Sequence, residues 1–96
     1  MTVKPLLVTD ILRSIQNEAS NAHKKHGDHS MLYEDDRQKL SILMEEVGEC
    51  AHEHNELVLG NIDRSTYLSN QYKELTQVAA MAATWMLAIL YEIEDE

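Results

Sequence analysis

The sequence predicts an all-α protein of three main helices. Hydrophobic residues make up 44% of the 96 residues, the chain contains one Pro and three Gly, and apolar residues recur at the helical period over long stretches. Clustered β-branched residues and the turn signals of β-hairpins are scarce, which argues against strands. A chain of this length forms one domain with a small core.

The first predicted helix is capped by Thr9 or Asp10 and runs to about His26. We expect residues 1–8 to form an N-terminal arm, because Pro5 interrupts any earlier helix. Residues 9–96 then form the single helical domain.

Two further helices follow a polar connection. The second begins near Asp35, which forms a predicted capping box with Gln38. Its apolar stripe consists of Leu40, Leu43, Met44, Val47, Ala51 and Val58. The third is capped by Asp63 and runs to about Ile93. Its stripe consists of Leu68, Leu75, Val78, Ala79, Ala82, Trp85, Met86, Ile89 and Leu90.

The length of the third helix predicts self-association. About 30 residues make a helix roughly 45 Å long, which two shorter helices cannot cover. Residues 78–91 are apolar except for Thr84, so that half needs burial on more than one side. It is shorter than the roughly 20 residues that span a bilayer, and we interpret it as a deeply buried helix. We expect a homodimer that completes a helical bundle, or a homotetramer.

The charge balance limits the possible partners. The net charge is −9, from 17 acidic and 8 basic residues, which argues against binding to nucleic acid or to anionic membranes. The single cysteine, Cys50, cannot form an intrachain disulfide, and residues 1–8 carry no signal-peptide pattern. We therefore expect a cytoplasmic protein.

The most unusual stretch is acidic and covers residues 44–56. It contains five glutamates, and no Lys or Arg lies between Leu40 and Asp63 to neutralise them. The five are Glu45, Glu46, Glu49, Glu53 and Glu56. Like charges at helical spacing are destabilising, so these side chains require either open water or a bound cation.

Helical geometry places two of these acids beside the apolar stripe. With Glu46 at 0° and 100° per residue, the stripe falls at about 60–160° and Glu49 at about 300°. On the third helix, Glu74 and Gln77 stand in the same relation to their stripe. If the stripes pack together, three carboxylates and one amide oxygen line a groove, a ligand set that suits Mg²⁺ or Mn²⁺. The alternative is a solvated acidic face.

These residues resemble a known family. Glu45-Glu46-x-x-Glu49 followed by Glu74-x-x-Gln77 is similar to the EExxE…ExxD signature of the MazG-like, all-α nucleoside triphosphate pyrophosphohydrolases. Residues 25–28 and the segment from Glu74 to Trp85 resemble the short phage and bacterial members. The resemblance covers roughly residues 12–90.

The resemblance implies a Mg²⁺-dependent cleavage of a nucleoside triphosphate to the monophosphate and pyrophosphate. It assigns metal binding to Glu46, Glu49, Glu74 and the position of Gln77. Glu45, or a metal-ligating carboxylate that the metal does not fully engage, is the expected general base that orients the attacking water. Gln77 departs from the family pattern, because its amide oxygen binds Mg²⁺ without supplying charge.

Several residues are candidates for substrate binding, or for supplying the ligand charge that Gln77 lacks. Lys24, Lys25 and Arg37 are the basic residues nearest the predicted site, His26 is placed to stack on a base, and Glu53 lies one turn beyond Glu49.

Other functions remain open. One is a non-catalytic MazG-like oligomer that binds metal or nucleotide, which Gln77 favours. A di-iron bundle is disfavoured because only one Glu-x-x-His pair occurs, Glu49 with His52. A zinc site is disfavoured because the five histidines lack the usual Cys/His spacing. Met81, Trp85 and Met86 are expected core residues.

Overall fold

The computed structural model describes the backbone of residues 5–26 and 35–95, and the side chains of residues 8–21 and 35–95. Within these ranges the chain forms three α-helices and no strand. They are α1 (Pro5–His26), α2 (Asp36–Val58) and α3 (Arg64–Asp95). The all-α class and the number of helices are therefore confirmed.

Helix α1 begins earlier than its sequence suggests. It starts at Pro5, so residues 5–8 are helical and the expectation that Pro5 interrupts any earlier helix was wrong. Proline lacks a backbone N–H, but the first residues of a helix have no intrahelical acceptor for that group. Its fixed φ also suits the first turn. Pro5 therefore starts the helix rather than stopping it.

The start of α2 is fixed by the predicted capping box. Asp35 Oδ1 accepts a hydrogen bond from the Gln38 backbone N–H at 2.8 Å, and Gln38 Oε1 accepts one from the Asp35 N–H at 3.4 Å. At the other end, Gly60 has a φ of 79° and its N–H donates to the Leu57 carbonyl at 3.1 Å. This left-handed conformation favours glycine and ends the helix.

Helix α3 is capped as predicted. Asp63 Oδ1 accepts a hydrogen bond from the Thr66 backbone N–H at 2.7 Å. That hydrogen bond lowers the pKa of the Asp63 carboxyl, because it stabilises the charged form. The turn between Gly60 and Asp63 is therefore defined at both ends by local interactions.

Helices α2 and α3 form an antiparallel hairpin. Glu53 Oε2 accepts a hydrogen bond from Asn70 Nδ2 at 3.1 Å, and the Cys50 carbonyl accepts one from Gln71 Nε2 at 2.9 Å. Further along, Glu46 meets Gln77. Residues nearer the start of α2 thus lie opposite residues nearer the end of α3, as in any antiparallel pair of helices.

The faces that meet in this hairpin carry the polar residues. Of the α2 stripe, Leu40, Met44 and Val47 are 50%, 58% and 41% exposed, and on α3 the exposed fractions of Leu75 and Met86 are 54% and 65%. The two apolar stripes are therefore only partly covered within one chain. The acidic flanks converge directly, and the stripes lie about 100° away from them.

The two exposed stripes form one surface. Both are offset from their acids in the same rotational sense, and the helices run in opposite directions, so both stripes lie on the same side of the hairpin. We call this the apolar face. It is defined by Leu40, Met44, Val47, Leu68, Leu75, Met86 and Leu90, all of which are exposed.

Helix α1 packs against a different side of α3. Tyr72 Oη donates a hydrogen bond to Ser14 Oγ at 3.0 Å. Ala83 and Leu87 of α3 line a groove with Leu12 and Ile15 of α1. The central helix of the chain is therefore α3, with α2 and α1 on two of its sides and the apolar face uncovered.

Little of the described chain is buried. Ala80, Met81, Ala88 and Lys39 are the buried residues of the described ranges. Trp85 is half-buried and Met86 is exposed, so the predicted core assignment holds fully only for Met81. By length and composition alone, helix α3 is long and apolar enough to cross a membrane. In its most apolar stretch of 18 residues, 22% are buried. The deep burial expected for residues 78–91 is present only in part.

Candidate metal centre

The structure brings together three of the predicted metal ligands. Carboxylate oxygens of Glu46, Glu49 and Glu74 lie within 4.8 Å of one another, and within the described side chains this is the one group of acidic, His or Cys residues with such spacing. Oxygens on opposite sides of a Mg²⁺ ion lie about 4 Å apart. A closure of less than about one ångström would therefore let all three bind one cation.

The hairpin explains why these residues meet. Glu46 and Glu49 are three residues apart on α2 and share the face that packs on α3. Glu74 stands opposite them because the antiparallel register pairs Glu53 with Asn70 and Glu46 with Gln77. Glu46 and Glu74 are half-buried, whereas Glu49 remains exposed. The cluster is therefore open to solvent along one side.

Gln77 completes the group. Its carboxamide lies between Glu46 and Glu74, and with the nitrogen facing them it donates to Glu46 Oε2 at 3.1 Å and to Glu74 Oε2 at 3.2 Å. The neighbouring carboxylates decide this orientation, because they accept hydrogen bonds and do not donate them when ionised. A half-turn of the same amide presents its oxygen to the same space.

The electrostatics show a concentration of negative charge. Burial raises the pKa of Glu74 to about 7, and a hydrogen bond with Glu49 and the charges of Glu49 and Glu46 contribute to the same shift. Burial also raises the pKa of Glu46, as do the charges of Glu49 and Glu45. Among the described residues, the charged groups that contribute to these two shifts are all carboxylates. The Glu74 carboxyl therefore retains a proton to higher pH than an ordinary glutamate does.

Cys50 stands beside the cluster but is not a favourable ligand. Burial raises the pKa of its thiol, and the charges of Glu74 and Glu46 raise it further. The thiol therefore stays protonated at neutral pH, whereas metal binding requires the thiolate. The donor set is accordingly carboxylate and amide oxygen, which suits a hard cation such as Mg²⁺ or Mn²⁺.

The remaining predicted site residues lie in different places. Glu45 is exposed next to Glu46 and is outside the cluster, and Glu53 is held by Asn70 one turn away. Arg37 is exposed, about 180° around α2 from Glu46. The side chains of Lys24, Lys25 and His26 lie outside the described residues.

The histidines of α2 do not gather around a metal. His52 is largely exposed and its Nε2 lies 4.0 Å from Glu56 Oε1, and His54 contacts the Tyr67 ring edge to face at 6.2 Å between centroids. The side chains of the other three histidines lie outside the described residues. Nothing in the described part of the chain adds to the case for zinc.

Sequence reasoning missed Lys39, Asn70 and Gln71. Asn70 and Gln71 fix the hairpin register by binding α2. Lys39 is only 6% exposed although lysine is rarely buried. Its position seven residues before Glu46, about 20° around the helix, is the signal that places it on the acidic face.

Comparison with protein-family models, with curated proteins and with solved structures finds no match to this chain. The case for function therefore depends on the motif and on the geometry of this cluster.

We expect the stability of the protein to fall as the pH rises from about 4.5 to about 7 in the absence of divalent cations. Glu74 ionises near pH 4.5 when unfolded and near pH 7 when folded. Its proton therefore stabilises the folded state at low pH, and this contribution is lost as the pH passes through that window. At about 1.4 kcal/mol per pKa unit, the loss is at most about 3.5 kcal/mol.

Urea denaturation at several pH values, with a chelator present, measures this effect. Glu74→Gln should remove most of the fall, and Glu92→Gln, an exposed residue of the same helix, should retain it. An unchanged pH dependence in Glu74→Gln would contradict the assignment.

Proposed function

We propose that this chain is a Mg²⁺-dependent nucleoside triphosphate pyrophosphohydrolase of the MazG-like type. The observation that carries the proposal is the convergence of Glu46, Glu49 and Glu74 around the Gln77 carboxamide. These are the four positions to which the family resemblance assigns metal binding, and they come together from two helices in the expected order. The all-helical architecture is compatible with that type.

In this reaction a water oxygen bonds to one phosphorus of the α–β anhydride and the bridging P–O bond breaks. The products are a nucleoside monophosphate and pyrophosphate, and the proton of the water passes to a carboxylate. Mg²⁺, when bound, neutralises the phosphate oxygens and makes the water more acidic. A strongly acidic protein surface requires that neutralisation before a triphosphate can approach.

The side chains of the cluster have distinct tasks in this proposal. Glu46, Glu49 and Glu74 supply the charged oxygens, and Gln77 supplies a neutral one after its amide turns. Glu45 is exposed beside Glu46, where it can accept a proton from solvent-side water. A carboxylate of the cluster that is not fully engaged by metal is the other candidate for general base.

A second candidate function is a non-catalytic MazG-like protein that binds metal or nucleotide and acts as a regulatory or scaffold oligomer. The observation that favours it is Gln77 itself. An amide in place of a carboxylate removes one unit of charge from the site, and with it part of the affinity for a second cation.

We also propose that a second copy of the chain covers the apolar face. Its large residues are 41–65% exposed in the single chain, and contiguous apolar surfaces of this kind mark interaction sites. Both helices contribute to the face, so two hairpins related by a two-fold axis would form a four-helix bundle. A homotetramer would need a further interface on another side.

The expected setting is the cytoplasm, with the nucleoside triphosphate as the ligand and with neither nucleic acid nor membrane as a partner. The acidic charge supports this proposal.

We expect purified protein with Mg²⁺ or Mn²⁺ to release pyrophosphate from at least one of the eight common ribo- and deoxyribonucleoside triphosphates. Glu49→Ala and Glu74→Ala should each lower kcat/KM at least about 100-fold, because each removes a charged ligand. Glu92→Ala is the control. If no nucleotide is turned over but calorimetry detects divalent cation binding, the non-catalytic alternative is favoured. If no cation binds either, the site assignment fails.

Gln77→Asp should raise both Mg²⁺ affinity and pyrophosphate release, by about tenfold or more, because it restores a charged ligand. Gln16→Asp adds the same charge on an exposed position of α1 and should change neither. A variant at Gln77 that binds Mg²⁺ no better than wild type would show that this position does not contact the cation.

Met44→Glu and Leu75→Glu should each weaken self-association at least about tenfold, or about 1.4 kcal/mol, because they place charge in the apolar face. Analytical ultracentrifugation over a concentration series measures the change. Val8→Glu alters another exposed apolar residue, in α1, and should leave the assembly intact. A wild-type chain that sediments as a monomer at all concentrations would refute the second-copy proposal.

A further inference from the structure

A groove between α1 and α3 shares no residue with the metal centre or with the apolar face. Its volume is about 470 Å³, and its lining is mainly apolar. The apolar side chains that line it are Leu12, Ile15 and Ala19 of α1 and Ala83 and Leu87 of α3. Leu12 and Leu87 are 61% and 39% exposed. The groove therefore offers apolar surface to a second molecule.

The groove and the apolar face lie on different sides of α3. With Glu74 at 0°, Ala83 and Leu87 fall at about 180° and about 220° around the helix. Two leucines of the apolar face, Leu68 and Leu75, fall at about 120° and about 100°. The two surfaces are therefore centred about 90° apart. A partner that packs flat on the apolar face leaves the groove uncovered.

The exposed area of the single chain is large enough for two interfaces. The chain exposes 7443 Å², whereas a folded monomer of this size exposes roughly 5600 Å². The excess is roughly 1800 Å². Each partner contributes about 800 Å² to a stable interface. A contact through the apolar face thus accounts for about half of the excess, and a second contact is needed for the rest.

The charges of the helices favour another copy of the chain as the occupant. By sequence, α1 has three basic and two acidic residues, α2 has two basic and six acidic residues, and α3 has two basic and four acidic residues. Of the three helices, α1 is thus the one with a net positive charge, in a chain whose net charge is −9. Contact between α1 and an acidic helix of another copy is attractive, whereas contact between two acidic helices is repulsive.

We propose that this groove is a second interface between copies of the chain, in which α1 of each copy packs against α3 of the other. The exposed Leu12 side chain of one copy enters the groove of the other, and a two-fold axis makes the contact reciprocal. Together with the apolar face, the groove joins two dimers into a tetramer with two distinct interfaces. The proposal is independent of the proposed reaction, because neither surface contains a residue of the metal centre.

Sedimentation equilibrium of wild type and variants over a concentration series separates the two interfaces. The wild type should reach the mass of a tetramer. Leu12→Glu and Leu87→Glu should each give a dimer and weaken the association of dimers at least about tenfold, because they place charge in the groove. Met44→Glu should also give a dimer, which the groove holds together. Leu12→Glu combined with Met44→Glu should give a monomer.

Val8→Glu is the matched control. Val8 is 54% exposed on the same helix, one turn before Leu12, and is not among the lining residues of the groove. This variant should leave the tetramer intact. Leu12→Ala removes apolar contact without adding charge and should weaken the association of dimers by a smaller factor, so it serves if the glutamate variant fails to fold. Circular dichroism and urea denaturation report whether each variant is folded.

Each other outcome has a definite meaning. A wild type no larger than a dimer that Met44→Glu dissociates and Leu12→Glu does not would overturn the groove interface. Folded groove variants that keep the mass of the tetramer would overturn it as well. If those variants lower the free energy of unfolding at unchanged mass, the groove is covered by a segment of the same chain instead. A dimer that Leu12→Glu dissociates and Met44→Glu does not would support the groove and overturn the contact through the apolar face.

Discussion

Mutual repulsion among three carboxylates is the constraint on which this structure depends. Glu46, Glu49 and Glu74 meet where α2 packs on α3, a place that most proteins fill with apolar side chains. The raised pKa values of Glu46 and Glu74 record the cost of that arrangement. The polar contacts around them, from Asn70, Gln71 and Gln77, hold the hairpin in register despite the repulsion.

The location of the acids decides where the apolar residues lie. Because the acidic flanks occupy the contact between the two helices, the apolar stripes are displaced to one side of the hairpin and remain exposed in a single chain. A small core of alanines and Met81 is all that the described part of one chain buries among its apolar residues. The acidic cluster and the exposed apolar face are therefore physically linked, because the acids occupy the contact between the two helices.

Local sequence signals predicted the helices well. They predicted the packing between helices less well. The caps at Asp35 and Asp63 were predictable because a cap depends on a residue only three positions away in the sequence. The convergence of Glu46 with Glu74 was also predictable, because both acids flank their stripes at the same angle. Periodicity identifies an apolar face but not what covers it, so the exposure of much of both stripes in a single chain could not be predicted. Lys39 was missed because composition alone places lysine on the surface.

The Gln77 carboxamide has two different ends, and this matters for the order in which the site forms. With its nitrogen toward Glu46 and Glu74 it satisfies them as a donor, and with its oxygen toward them it would join them as a ligand. Without a cation, an aspartate at this position would add to the repulsion. Under the proposed function, the same side chain would let the hairpin form before a cation binds, so that folding would not have to wait for metal.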